Sequence, residues 1–152
     1  MVEQPKTYVE EYIDAGADIL TFHYEACVDE NEVNEIIDLI HKKGAKAGLA
    51  INPDTGVDKL VPFLHKLDLV LIMTVFPGEG GQKFIQDSLI KLLLLDTTKR
   101  LLQTDRKFLI EVDGGINEET AKEVKPMVDV LVAGTFIFGG DVKTRIQKLK
   151  DC

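Results

Sequence analysis

Cysteine is scarce: the 152 residues hold only Cys27 and Cys152. The two stand far apart with no CxxC or cysteine–histidine ligand spacing, so neither a disulfide framework nor a structural zinc site is indicated. Both read as free thiols. Basic residues are also the minority, 18 Lys and Arg against 26 Asp and Glu, for a formal net charge of -8. That balance opposes nucleic acid or an anionic membrane across the general surface, so any bound phosphate must be met by a local nest of backbone dipoles. No apolar run reaches the roughly 18 residues of a membrane span, and Met1-Val2-Glu3-Gln4-Pro5 has neither a basic n-region nor an apolar h-region. These absences predict a cytoplasmic protein with no membrane or nucleic-acid partner. No low-complexity tract interrupts the sequence, which is 45% apolar, and the length suits one domain over 1–152.

What is present is an alternation of short apolar runs with helical patterns. The runs begin near Asp18 (Ile19 to Phe22), Ala47 (Gly48 to Ile51), Asp68 (Leu69 to Val75), Phe108 (Leu109 to Val112) and Asp129 (Val130 to Ala133). Helical patterns cover Pro5 to Ala15, Glu30 to Lys43, Val57 to Lys66, Lys83 to Leu102, Asn117 to Lys125 and Val142 to Lys150. Strands that are nearly all apolar predict a parallel sheet buried on both faces, with helical crossovers. Gly16 and Gly44 follow helices where a left-handed cap favours glycine, and Asn117 followed by Thr120 reads as an N-cap. The acidic stretch Asp29, Glu30, Glu32, Glu35 reads as a solvated helix face.

Two strands end in glycine: Leu109 to Val112 runs into Asp113-Gly114-Gly115, and Val130 to Ala133 runs into Gly134-Thr135. In parallel α/β barrels the loops after the last strands hold phosphate through backbone N–H groups, because glycine lets the main chain approach the anion closely. Asp113 is then either a carboxylate placed for chemistry or a strand-end cap for the next helix. Gly78, Gly80 and Gly81 form either a loop over a ligand or a simple Pro-Gly turn, and Gly134-Thr135 either an anion site or a strand-ending turn. Met73 either lines the site or, if turned toward the helices, belongs to the core. His23 follows a buried strand and reads as a hydrogen-bonded structural group, while His41 and His65 read as surface residues late in helical patterns. No GxGxxG follows a first strand, which argues against a dinucleotide site.

Five strands are visible, whereas a closed (β/α)8 barrel needs eight and about 250 residues. Taken in order, Gly16-Ala17-Asp18, Thr21-Phe22-His23, Gly48 to Pro53, Met73-Thr74-Val75-Phe76-Pro77-Gly78-Glu79-Gly80-Gly81-Gln82-Lys83-Phe84, Glu111 to Ile116 and Val132 to Thr135 resemble the ribulose-phosphate 3-epimerase family. The resemblance runs over essentially the whole chain, from Met1 onward. It implies an α/β fold of the (β/α)8 TIM-barrel type, with about five of the eight strands present and the first three largely missing.

The activity implied is interconversion of D-ribulose 5-phosphate and D-xylulose 5-phosphate, a step of the pentose phosphate pathway, through an enediolate. A divalent metal assists, and zinc, iron, manganese and cobalt all suit mixed nitrogen and oxygen ligands. In the family two histidines and two aspartates hold the metal, and the aspartates also exchange the protons. Asp113 matches the second aspartate; the other ligands fall upstream of Met1. Gly78, Gly80 and Gly81 match the flexible loop over the substrate, with Glu79 replacing the usual aromatic. Gly114, Gly115, Gly134 and Thr135 match the phosphate cradle, and Met73 a residue lining the sugar. Partners implied are the sugar phosphate and either a further copy of the chain or a complementing N-terminal segment, since the Ile19 and Val130 strands become open edges. A related hexulose phosphate, allulose 6-phosphate, is an alternative substrate, and a non-catalytic sugar-phosphate-binding or assembly fragment an alternative role.

Overall fold

The structure is a computed structural model that describes residues 1–102 and 108–152. Its centre is one five-stranded parallel sheet in the order β1-β2-β3-β4-β5. The strands are β1 (Ile19–His23), β2 (Lys46–Ile51), β3 (Leu69–Met73), β4 (Leu109–Asp113) and β5 (Val130–Val132). Helices α1 (Pro5–Asp14), α2 (Glu30–Lys42), α3 (Ser88–Leu101) and α4 (Glu118–Val124) precede β1, β2, β4 and β5 in turn, and α5 (Gly134–Phe138) and α6 (Val142–Asp151) follow β5. Sequential order and parallel pairing are the arrangement of successive βα units in a (β/α)8 barrel.

The caps follow from the sequence. Asp29 accepts from the Glu32 N–H at 2.9 Å and opens α2, and the Glu32 carboxylate answers by accepting from the Val28 N–H at 2.7 Å. Asn117 accepts from the Glu119 and Thr120 N–H groups while the Thr120 hydroxyl accepts from the Asn117 N–H, a reciprocal capping box. Gly16 and Gly44 take the left-handed conformation expected after α1 and α2, at φ 105° and 88°.

Three expectations are corrected. Val57 to Lys66 is not an α-helix but two single 3-10 turns, Val57–Lys59 and Val61–Phe63. Pro62 lies inside that run and has no N–H to donate one turn back. The pattern from Lys83 becomes helical only at Ser88, because the preceding segment is tied to the sheet by the Ile85 N–H donating to the Thr74 carbonyl at 2.8 Å. The sheet, finally, is covered by helices on one face only. Leu49, Ile51, Val70, Ile72, Ile110 and Val112 are buried in the main core with Ile36, Ile40, Leu92 and Leu95 from the helices. The opposite face carries a small separate cluster of Ala50, Leu69, Leu71, Met73 and Val75. There Ile19 and Leu109 are left 39% and 42% exposed. Apolar alternation reports which residues suit burial, and among the described residues the second set forms a cluster apart from the one the helices pack against.

Candidate functional site

Parallel pairing brings the C-terminal ends of β3, β4 and β5 to one level, with Met73 beside Asp113 and Asp113 beside Val132. Residues at alternate positions share a face, so Asp113 and Glu111 project onto the same uncovered side as Met73. Asp113 is half-buried, and among the described residues its carboxylate accepts no hydrogen bond. Burial pushes its pKa above the ordinary carboxylate value. Glu111 is raised by burial first and by the nearby Asp113 charge second. A desolvated carboxylate with no fixed donor is equipped to take and return a proton.

The turn after Asp113 is built around close backbone approach. Gly114 and Gly115 have φ of 126° and 65°. A Cβ on Gly114 would lie 2.8 Å from the Val75 nitrogen, and one on Gly115 would lie 2.4 Å from the Phe84 nitrogen. Thr74, fully buried, anchors this turn: its hydroxyl donates to the Gly114 carbonyl at 2.6 Å and lies 3.1 Å from that of Asp113. The Gln82 amide gathers the preceding loop by donating to the Phe76 carbonyl at 2.7 Å and the Glu79 carbonyl at 2.8 Å. Glu79 itself is exposed. That loop rests against α5, where the hydroxyl of Thr135 lies 3.6 Å from the position a Cβ on Gly80 would take.

These turns enclose a cavity of about 820 Å3. Met73, Gly78, Gly80, Gly81, Asp113, Gly114, Gly115, Gly134 and Thr135 all border it. Met73 faces this cavity and not the helices. Gly134 does not end a simple turn; it begins α5, a short helix absent from the expected elements. Unlike Gly114 and Gly115, Gly80 and Gly134 have ordinary φ and room for a Cβ, so the chain's own packing does not require glycine at either position. Sequence reasoning gave Thr74, Gln82 and Arg145 no role. Arg145 borders the cavity from α6, with its guanidinium 5.0 Å over the Phe136 ring and donating to the Phe136 carbonyl.

The histidines lie elsewhere. His23 ends β1 on the same face as Asp113 but three strands away; its Nδ1 is 3.4 Å from the Glu25 carboxylate and its Nε2 is buried with no hydrogen-bond partner among the described residues. His41 is not simply a surface residue, since its Nε2 sits 2.9 Å from Asp68, whereas His65 is exposed. Cys27 and Cys152 are free, and burial pushes the Cys27 thiol up to about 12, with the Glu32, Glu25 and Asp29 charges adding to the rise. Among the described residues no group of three or more His, Cys, Asp or Glu could hold a metal ion. Asp113 offers one ligand, and the residues present do not by themselves fit a divalent cation site.

Glu25 ties β1 to the turn after β2 by accepting from the Asn52 N–H at 2.7 Å and from the Thr55 hydroxyl. Burial pushes its pKa up, but the bonds from His23, Asn52 and Thr55 outweigh this and hold it down at about 2. A carboxyl lowered from the ordinary 4.5 to about 2 contributes stability that is complete above the higher value and lost as pH falls through the lower one. Urea unfolding at stepped pH is therefore expected to show a falling midpoint across that window, and the fall to be shallower in Glu25→Gln. An equally steep fall in the variant would remove Glu25 as its source.

Among the described residues no helix is long and apolar enough to cross a membrane. Residues 1–138 match the sequence model of the ribulose-phosphate 3 epimerase family. The chain is 43% identical to ribulose-phosphate 3-epimerase of Bacillus subtilis (strain 168), over 99% of its own length and 68% of the relative's. It is 42% identical to the protein of that name from Eremothecium gossypii, covering 99% of this chain and 60% of the other. The Aquifex aeolicus protein of the same name is 37% identical, with 99% and 66% covered. The chain thus spans between 60% and 68% of the length of these relatives.

Proposed function

From the premise that this chain belongs to the ribulose-phosphate 3-epimerase family, we propose that it carries the phosphate-holding side and one of the two proton-transfer groups of a ribulose 5-phosphate/xylulose 5-phosphate 3-epimerase. The observation that carries this reading is the convergence, around one cavity, of a half-buried carboxylate that accepts no hydrogen bond among the described residues with two glycine-bearing turns and the glycine that opens α5. Inverting the carbon beside a ketone requires a base on one face and an acid on the other. Asp113 serves one face. Gly80, Gly81, Gly114, Gly115, Gly134 and Thr135 receive the phosphate, Gly78 closes the loop over it, and Met73 lines the sugar. The glycines at 80 and 134, which the chain's packing does not need, leave room for a group approaching the main chain from the cavity.

The divalent cation of this reading, zinc, iron, manganese or cobalt, would stabilise charge on the substrate oxygens, with Asp113 as one ligand. The described residues lack the others. Further strands, from another copy or a complementing segment, would pair at the β1 edge and cover the open face. The cytoplasm, where sugar phosphates are handled, is the proposed location. A second reading, sugar-phosphate binding without turnover, is favoured for the lone chain by its single acid/base group.

The test is proton NMR of ribulose 5-phosphate in heavy water with the chain and added divalent metal, beside amide shifts of the chain. Expected are shifts at Gly80, Gly81, Gly114 and Gly134 on titration, lost for the phosphate in Gly134→Ala at unchanged unfolding midpoint. Deuterium at the third carbon with epimer formation supports turnover; binding without exchange supports the second reading. Shifts that avoid those amides would overturn both.

A further inference from the structure

Two basic side chains border the cavity, Lys83 and Arg145. Lys83 is exposed, whereas Arg145 is half-buried. Arg145 stands in the first turn of α6, where the helix dipole favours an anion and not a cation. Its guanidinium lies 5.0 Å over the Phe136 ring and donates to the Phe136 carbonyl, and the Gly139-Gly140 main chain closes on it. A Cβ on Gly140 would stand 2.5 Å from Nε, 2.6 Å from Cζ and 2.7 Å from Nη2 of Arg145. Gly140 does not take a left-handed φ, so its backbone does not require glycine. The space that the missing side chain leaves is filled by the guanidinium.

Packing alone does not account for this cation. The chain has 26 Asp and Glu against 18 Lys and Arg, yet among the described residues no carboxylate pairs with Arg145, and of its five N–H donors the Phe136 carbonyl takes one. A half-buried guanidinium left without an anion carries an uncompensated desolvation cost. The ring and the carbonyl fix its position in advance, which lowers the cost of binding an anion there. An anionic ligand entering the cavity, for its part, meets Asp113 and Glu79 on the border and a net charge of -8 on the chain. A fixed cation beside Gly134, Thr135 and Phe136 offsets that repulsion.

Resting on the reading given above, in which Gly134 and Thr135 receive the phosphate, we propose that Arg145 is a specificity-determining residue of this cavity. Its guanidinium, seated on Gly140, donates to the phosphoryl oxygens and adds a charged side chain to the contacts that the glycine main chain makes. The ligand class it selects is a phosphomonoester dianion over the unphosphorylated sugar, because a charge-assisted bond from a guanidinium has no counterpart for a neutral hydroxyl.

Titration of the metal-free chain with ribulose 5-phosphate, followed by amide shifts at low and at raised salt, tests this in the wild type, Arg145→Met, Arg145→Lys and Gly140→Ala. The dissociation constant is expected to rise at least about 10-fold in Arg145→Met, the loss of one charged hydrogen-bond donor. Arg145→Lys, which keeps the charge but not the planar fork, is expected to fall between the two. Raised salt is expected to weaken binding by the wild type and Arg145→Lys, and to weaken it less in Arg145→Met. A residue that only braced α5 against α6 would change the urea midpoint and leave that salt dependence as it was. In Gly140→Ala the methyl group displaces the guanidinium while its charge stays on the chain; a rise of about 3-fold in the dissociation constant is expected, with no loss in the urea midpoint. That variant decides the question if Arg145→Met is unstable. Wild-type shifts at Gly134 with equal affinity in Arg145→Met and Gly140→Ala, or with the same salt dependence in Arg145→Met, would overturn the role of Arg145 and leave the phosphate reading standing. Wild-type shifts that avoid Gly80, Gly81, Gly114 and Gly134 would overturn both.

Discussion

Gly115→Ala is expected to lower stability by more than about 3 kcal/mol, among the largest effects a single methyl group produces. Two physical terms act together. The residue sits at φ 65°, a conformation in which an L side chain meets its own carbonyl at about 1–2 kcal/mol. The added Cβ would also lie 2.4 Å from the Phe84 nitrogen and 2.8 Å from its Cα. Those are backbone atoms, and no side chain can swing away to relieve the contact. Residues 83–87 would have to move, and the bond from the Ile85 N–H to the Thr74 carbonyl, 2.8 Å long, holds them. Gly16→Ala separates the two terms, since Gly16 has φ 105° but nothing within 4 Å of its Cβ. It is expected to cost about 1–2 kcal/mol, the conformational term alone. Urea unfolding of both variants measures the difference. If Gly115→Ala falls no further than Gly16→Ala, the close packing of the cavity turns on one another is wrong.

The sheet was legible because its strands are short, mostly apolar runs, and the helical patterns between them leave parallel pairing as the simplest connection. Asp68 and Asp129 marked the starts of two runs, but their work was not legible. Each accepts a backbone N–H from a neighbouring strand, Ala47 at 2.9 Å and Ile110 at 2.8 Å, and those partners lie about twenty residues away in sequence. Thr74 escaped notice for the same reason, since the carbonyls it serves are 39 and 40 residues downstream. Between Val57 and Lys66 the apolar spacing suggested a helix, and Pro62 broke it. At Gly134 the glycine suggested a turn, and the chain instead enters α5, closed five residues later at Gly139-Gly140. Local patterns report propensity; which face of a sheet is covered, and what a buried hydroxyl meets, depend on partners that no window of sequence contains.

Asp113→Asn is expected to have opposite effects on chemistry and on folding. In its proposed role as one of two proton-transfer groups it cannot be replaced by an amide, so deuterium exchange at the third carbon should fall by about 10²–10⁴-fold wherever the wild-type site turns over. Stability in metal-free buffer should rise. The carboxylate is partly desolvated, accepts no hydrogen bond among the described residues, and faces Glu111, whose own pKa its charge raises. An uncharged isostere removes these unfavourable terms at neutral pH. The pH dependence gives an independent check. A carboxyl whose folded pKa lies above its unfolded value gains stability as pH falls through that raised range, because the folded state then binds the proton more tightly. The wild-type chain should gain from Asp113 and Glu111 just above the ordinary carboxylate range, before Glu25 takes it away at lower pH. Asp113→Asn should show a smaller gain and the same later loss. Undiminished exchange would remove Asp113 from the chemistry. A destabilised Asp113→Asn with exchange lost would instead make the carboxylate a structural anchor of the Gly114-Gly115 turn, and the loss of exchange a consequence of that turn's collapse.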